Sequence, residues 1–205
     1  MYRGVSIIMT SKSTEAITDI LGMRKCRYVE RMAGTPKLRS YSLAEHQYFV
    51  GMMFLDIASR YEVPIDISYQ TLDIVFRHDM LEILTGDLRW TAKNLTEETS
   101  KSWDKIESAV KADAENKKGF RVYTDSEIEK LLSPIEYDLL RMCDTAELYL
   151  FCMEEISLGN RNSSIYEIVD NCRKIVCSRL RREDTYPFYE VFRKLMIPED
   201  EGTLR

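Results

Sequence analysis

Two histidines, eight glycines and five prolines among 205 residues leave this chain short of imidazoles and of turn-formers. Strand signals are nearly absent with them, while helical signals recur. No apolar run approaches the roughly 18 residues that a membrane span needs. The opening MYRGVSIIMTSKSTE has an apolar core too short for a secretory signal. Positive charge is not in excess either: the net charge of -5 gives no electrostatic case for a nucleic-acid polymer or an acidic membrane as partner. Any anionic substrate must therefore be met by a few placed basic groups. The cysteines, Cys26, Cys143, Cys152, Cys172 and Cys177, form no CxxC pair. An odd, scattered set within helical patterns reads as reduced, buried thiols of a cytoplasmic protein, not as a zinc site.

What is present is enough for one domain with a substantial core: 44% hydrophobic and 31% charged residues, an ordinary soluble composition. One domain over residues 1–205 is expected, with its core at about 13–196 and a disordered polar tail at 198–205. Helix is expected over 13–30, with Ile17, Ile20 and Leu21 as its apolar face. After a loop at 31–41, Ser42 and Glu45 form a capping box. The helix they open carries Leu43, His46, Val50, Phe54 and Ile57 inward. An amphipathic surface helix follows over 96–118, with Trp103, Ile106 and Val110 on one side. Capping boxes at Thr124 and Ser133 open helices to Leu132 and to about Leu158, the second with Tyr137, Leu140, Asp144, Leu148 and Phe151 inward. A long helix over 164–181 and an aromatic packing segment over 186–196 complete an all-α chain. The basic runs Lys117-Lys118 and Arg179 to Arg182 read as solvated helix faces.

The stretch from Ser68 to Lys93 organises the rest. Leu72, Phe76, Asp79 and Ile83 recur at spacings of four, three and four, the inward stripe of a helix. A carboxylate on such a stripe is costly unless something pairs with it. His78 is its neighbour, Glu82 lies one turn on, Gly86 can end the helix in a left-handed conformation, and Asp87 sits just beyond. His46 and Asp144 occupy comparable inward positions on two other helices. Three helices thus each offer a metal-ligand type, and a divalent cation compensates several such groups at once. Two imidazoles and two carboxylates suit manganese, cobalt or iron, with zinc admissible and magnesium disfavoured. A cation of this kind acidifies water into a nucleophile for hydrolysis.

The order His46, His78-Asp79, Asp144 on a helical background resembles the HD superfamily of metal-dependent phosphohydrolases. HDxxExLTGDL from His78 to Leu88, the following Lys93, SxxEH from Ser42 to His46, and Arg31 fifteen residues before His46 resemble, more narrowly, the bacterial HD-domain 5′-deoxynucleotidases of the YfbR type. The likeness runs from about Cys26 to Arg181. It implies a single HD-domain helical bundle in which His46, His78, Asp79 and Asp144 bind one divalent metal. Glu82 would orient or deprotonate the attacking water, Asp87 would position it or protonate the leaving oxygen, and Arg31 and Lys93 would hold the phosphate. It further implies a nucleotide substrate, release of phosphate from deoxynucleoside monophosphates, and a homodimer. A related phage branch removes triphosphate from deoxyadenosine triphosphate, and a non-catalytic nucleotide sensor is the reading from a different class. Two departures bear on the substrate. Met32 stands where the family usually has a tryptophan against the sugar, and Arg89-Trp90-Thr91 replaces its proline-rich turn. Trp90 or Arg89 is then a candidate contact to base or phosphate, with packing as the alternative for Trp90.

Overall fold

Helix accounts for all the extended secondary structure among the described residues, which in this computed structural model are 11–61, 67–88, 90–93, 95–118, 120–181 and 186–197. The helices in order are α1 (Ser11–Met23), α2 (Leu43–Arg60), α3 (Tyr69–Arg77), α4 (Glu82–Thr85), α5 (Trp90–Lys93), α6 (Glu97–Lys118), α7 (Asp125–Leu131), α8 (Pro134–Ser157), α9 (Ser163–Leu180) and α10 (Tyr189–Met196), with a tight 3₁₀ turn over Arg24–Tyr28. The expected tail at 198–205 lies outside the described residues.

The element that the others surround is α8, not the 68–93 stretch: α2, α7, α9 and α10 all pack on it. Its start is fixed locally. The Ser133 hydroxyl accepts from the Glu136 N–H, the Glu136 carboxylate accepts from the Ser133 N–H, and Pro134 occupies the first turn. Glu136 also accepts from the Thr71 hydroxyl at 2.9 Å, which ties the start of α8 to the start of α3. Because α8 is central, it buries residues around most of its circumference, including Leu139, Met142, Cys143, Ala146 and Phe151. Phe188 and, from α10, Tyr189, Phe192 and Met196 join the same apolar cluster. Cys26, Leu43, Met80, Leu81, Ala114, Phe120 and Val122 form a second, smaller cluster.

The inward face of α2 is as its periodicity predicts: Leu43, His46, Val50, Phe54 and Ile57 are buried. Gly51 lies against α3, where a Cβ would come within 2.2 Å of the Phe76 ring. This close approach sets the spacing between the two helices.

Several expectations need correction. The helix from Ser68 stops at Arg77, and residues 78–81 form a turn before the single turn of α4. The buried line of α3 is Thr71, Ile74 and Val75, displaced from the expected Leu72 and Phe76, which are half-buried. The β-branched Ile74 and Val75 take the core, and Phe76 reaches sideways to Gly51. Gly86 has a positive φ of 75° but an extended ψ of 163°, so it reverses the chain without the left-handed helical cap. Ser42 accepts from the Glu45 N–H, yet the Glu45 carboxylate turns to Arg39 and leaves the box half-made. Ile17, Ile20 and Leu21 are exposed; α1 packs on the 3₁₀ turn, and its Gly22 lies against the Phe120 ring. On α6, Ile106 is exposed and the buried positions are Glu107 and Ala114. Arg179 is not simply solvated, because its guanidinium pairs with the buried Asp138. The side chains of Lys117 and Lys118 lie outside the described residues.

All five cysteines are free thiols, four of them buried. No helix among the described residues is long and apolar enough to cross a membrane.

Candidate metal and phosphate site

Four side chains from three elements converge on one point. His46 comes from the second turn of α2, His78 and Asp79 from the turn that breaks α3 from α4, and Asp144 from the third turn of α8. One donor atom from each lies within 4.8 Å of all the others. The break in the helix accounts for the adjacent His78 and Asp79 both contributing. On a regular helix, neighbours diverge by about 100°, whereas here His78 Nε2 and Asp79 Oδ2 are 3.5 Å apart.

The chemistry of this donor set fits a divalent cation. Both Nε2 atoms are buried and make no hydrogen bond. His46 Nε2 stands 3.3 Å from Asp144 Oδ1 and 3.5 Å from Asp79 Oδ2, facing them without hydrogen-bond geometry. Orphaned ring nitrogens in an interior are rare because each costs about 1–3 kcal/mol. The opposite ring nitrogens are engaged: His78 Nδ1 donates to the Val75 carbonyl at 2.8 Å, and His46 Nδ1 meets Glu147 Oε2 at 2.5 Å. Without a cation the acids must be balanced by protons. Burial and the Arg31 charge push the His46 imidazolium down, but Asp144, Asp79 and Glu147 outweigh them and carry it up to about 10. Burial opposes ionisation of Asp79, yet His78, Arg31 and His46 hold it well below the usual carboxylate range.

A ring of basic and acidic groups surrounds the four donors. Arg31 is buried; its Nη1 lies 2.5 Å from Asp79 Oδ2 and 3.4 Å from Glu82 Oε2. The loop that carries it is closed on itself by Arg31 N–H to the Tyr41 carbonyl and Leu43 N–H to the Val29 carbonyl. Its far end is pinned where Glu155 accepts from the amides of Leu38 and Arg39. Glu82 is buried beside Asp79, and burial together with the Asp79 charge pushes its carboxyl up to about 9. Lys93 Nζ sits 4.0 Å from Glu82 and 3.8 Å from Glu107. It also lines a cleft of about 400 Å³ with Leu88, Ala92, Trp103 and Ile106.

Asp87 Oδ2 accepts from the Met32 N–H at 2.5 Å, where Met32 holds a positive φ of 54°. The carboxylate thus clasps the Arg31 loop. Met32 itself points inward, 8% exposed within the main apolar cluster, so its amide and not its side chain meets the edge of the site. Arg89 and the Trp90 side chain lie outside the described residues.

Three groups escaped the sequence reading. Arg141, three residues before Asp144 and so on its side of α8, places Nη1 3.3 Å from Asp144 Oδ2 with 34% of its side chain exposed. Its spacing was a signal that could have been used. Glu107 accepts from the Trp103 indole N–H at 2.6 Å and faces Lys93. Glu147, one turn beyond Asp144, had the same helical spacing to betray it, but its partner His46 is about a hundred residues away.

Among solved structures the fold is that of HD-domain phosphohydrolases. One from Listeria innocua superposes with a TM-score of 0.64 at 19% identity over 78% of each chain. The cyanophage S-2L HD phosphohydrolase DatZ, in a structure that holds dA and one catalytic Zn2+ ion, gives 0.61 at 22% identity over 86% of this chain and 91% of its own. The sequence narrows this class: the chain belongs to the family described as 5′-deoxynucleotidase YfbR-like, whose family model matches residues 20–199. A 5′-deoxynucleotidase of Vibrio vulnificus is 32% identical over 94 residues, and one of Vibrio cholerae 34% over 89. Those stretches span 47% and 44% of the two relatives and 43% and 40% of this chain.

Proposed function

We propose that this protein is a metal-dependent 5′-deoxynucleotidase that releases phosphate from deoxynucleoside monophosphates. The observation that carries the reading is the convergence of His46, His78, Asp79 and Asp144, with two buried Nε2 atoms aimed at one another's acids and at no hydrogen-bond donor. These four would hold one divalent ion. When bound, the ion supplies Lewis acidity for a phosphoryl oxygen and lowers the pKa of water. Two imidazoles with two carboxylates suit manganese, cobalt or iron, and the zinc in the phage neighbour keeps zinc admissible.

The chain's own residues then divide the work. Arg31, held between Asp79 and Glu82, presents a guanidinium to the phosphate and offsets the charge that develops on its oxygens. Lys93, which lines the cleft and stands 4.0 Å from Glu82, adds a second positive charge. Glu82, with its carboxyl biased toward the protonated form, is placed to exchange a proton with the attacking water. Asp87 fixes the loop that carries Arg31 through the Met32 amide and is the second acid available to the leaving oxygen. Trp90 or Arg89, just after Asp87 in the sequence, remains the candidate contact to the base or phosphate.

The monophosphate reading rests on the family to which the chain belongs, described as 5′-deoxynucleotidase YfbR-like. The reading carries with it a homodimer, one domain spanning residues 1–205 and a cytoplasmic setting, the last supported by the free thiols.

The test is phosphate release from ribo- and deoxyribonucleoside mono-, di- and triphosphates with each ion. Orthophosphate from deoxynucleoside monophosphates is expected. Inorganic triphosphate from a triphosphate would move the enzyme to the phage type of activity, and no turnover across the panel would make it a nucleotide sensor. His46→Ala and Asp79→Ala should each lose both metal and activity.

A further inference from the structure

We infer that Glu147 is a positioning residue, the buried outer carboxylate that fixes His46 as an Nε2 metal ligand. The inference rests on the metal site proposed above and adds a residue outside its four donors. One turn of α8 grips both sides of the His46 ring: Asp144 stands 3.3 Å from Nε2, and Glu147, three residues on, lies 2.5 Å from Nδ1. The same Glu147 oxygen accepts from the Tyr41 hydroxyl, which is itself 3.1 Å from Nδ1. Tyr41 is held in turn. It is fully buried, stacks on Phe151 with ring centroids 3.9 Å apart, and lies beneath the Arg31 guanidinium.

Glu147 is buried to 6% exposure, and Tyr41 and His46 are its hydrogen-bonding side chains. A carboxylate there is satisfied only by donors, so the geometry selects the tautomer with hydrogen on Nδ1 and a free lone pair on Nε2. His78 reaches the same tautomer by a different partner, the Val75 carbonyl, which can only accept. The two imidazoles are therefore unequal ligands. The one backed by a carboxylate is the more basic, as outer carboxylates generally make ligating histidines.

Glu147→Gln separates this role from simple packing. Glutamine has the same size and can hydrogen-bond both neighbours. It can also direct an amide N–H at Nδ1 and so select the wrong tautomer. If Glu147 only fills space, Glu147→Gln should bind metal like the parent and Glu147→Ala should be worse. If it sets the tautomer, Glu147→Gln keeps its melting temperature and loses about 10–100-fold in affinity for Mn2+ or Zn2+, measured by competition with a chelating dye. Saturating metal should then restore most of its turnover. Tyr41→Phe should show a smaller loss.

Parent-like affinity in Glu147→Gln overturns the assignment. Should that variant not fold, the nitrogen chemical shifts of His46 in the Zn2+-loaded parent decide: hydrogen on Nδ1 with the metal on Nε2 supports the assignment, and hydrogen on Nε2 with the metal on Nδ1 overturns it. A parent that binds neither ion, on the other hand, overturns the metal site itself and is recognised before any variant is compared.

Discussion

Glu82 and Asp73 show how differently two carboxyl groups behave at residue scale. Glu82 lies among acids in a buried place and is biased toward its protonated form. Glu82→Gln should lower kcat by about 10²–10⁴-fold, the range for loss of a general acid–base group, while metal content measured by elemental analysis stays at the parent level. Asp73 is the structural counterpart. Burial raises its carboxyl, but the Tyr123 hydroxyl at 2.6 Å, Arg77 at 2.8 Å and Arg121 at 3.3 Å prevail and lower it. A depressed folded pKa gives stability that is present above the ordinary aspartate value of about 4 and is lost as pH falls through the folded value. Melting temperatures from pH 6 to pH 2 should therefore drop less steeply in Asp73→Asn than in the parent. The four metal-ligand types were legible because each stands out alone: an acid or an imidazole on an apolar stripe demands an explanation. Glu147, Arg141 and Glu107 were harder to read, since each has its meaning only beside a partner on another element or beside a donor already assigned.

Among the elements, the helices whose ends are fixed by their own residues could be read closely. Ser133, Pro134 and Glu136 place the start of α8 from sequence, as Thr124 and Glu127 place that of α7. The break after Arg77 could not be read, because the apolar spacing continues through it. The exposed flank of α1 likewise reflects where its neighbours lie. Removing the ring in Phe192→Ala, fully buried on α10 against Phe188, should cost about 3–5 kcal/mol in urea unfolding. Ser133→Ala should cost about 1 kcal/mol, the usual loss for a helix cap. A Phe192→Ala cost no larger than that of the cap would mean that α10 packs only loosely on α8 and α9.

At the scale of the whole molecule, the metal site joins elements far apart in sequence, so binding there should act on global stability. An ion at 100 times its Kd adds about 2.7 kcal/mol if the unfolded chain does not bind it. Manganese or zinc should raise the melting temperature of the parent and leave that of His46→Ala unmoved; an equal rise in both would place the ion elsewhere. The all-α class was legible from periodicity and scarce turn residues. The identity of the central element was not, since a helix buried around most of its surface has no contrasting polar face to mark it.

Gly51 offers a lever on catalysis that touches no reacting group. It lies one turn beyond His46 on α2, against the Phe76 ring, two residues before His78. Gly51→Ala would wedge a methyl group into that contact and push the two halves of the ion's cradle apart. Such a protein should fold and still take up metal, but more weakly. A hydrogen atom's worth of room between two helices would then govern how tightly the protein holds its ion.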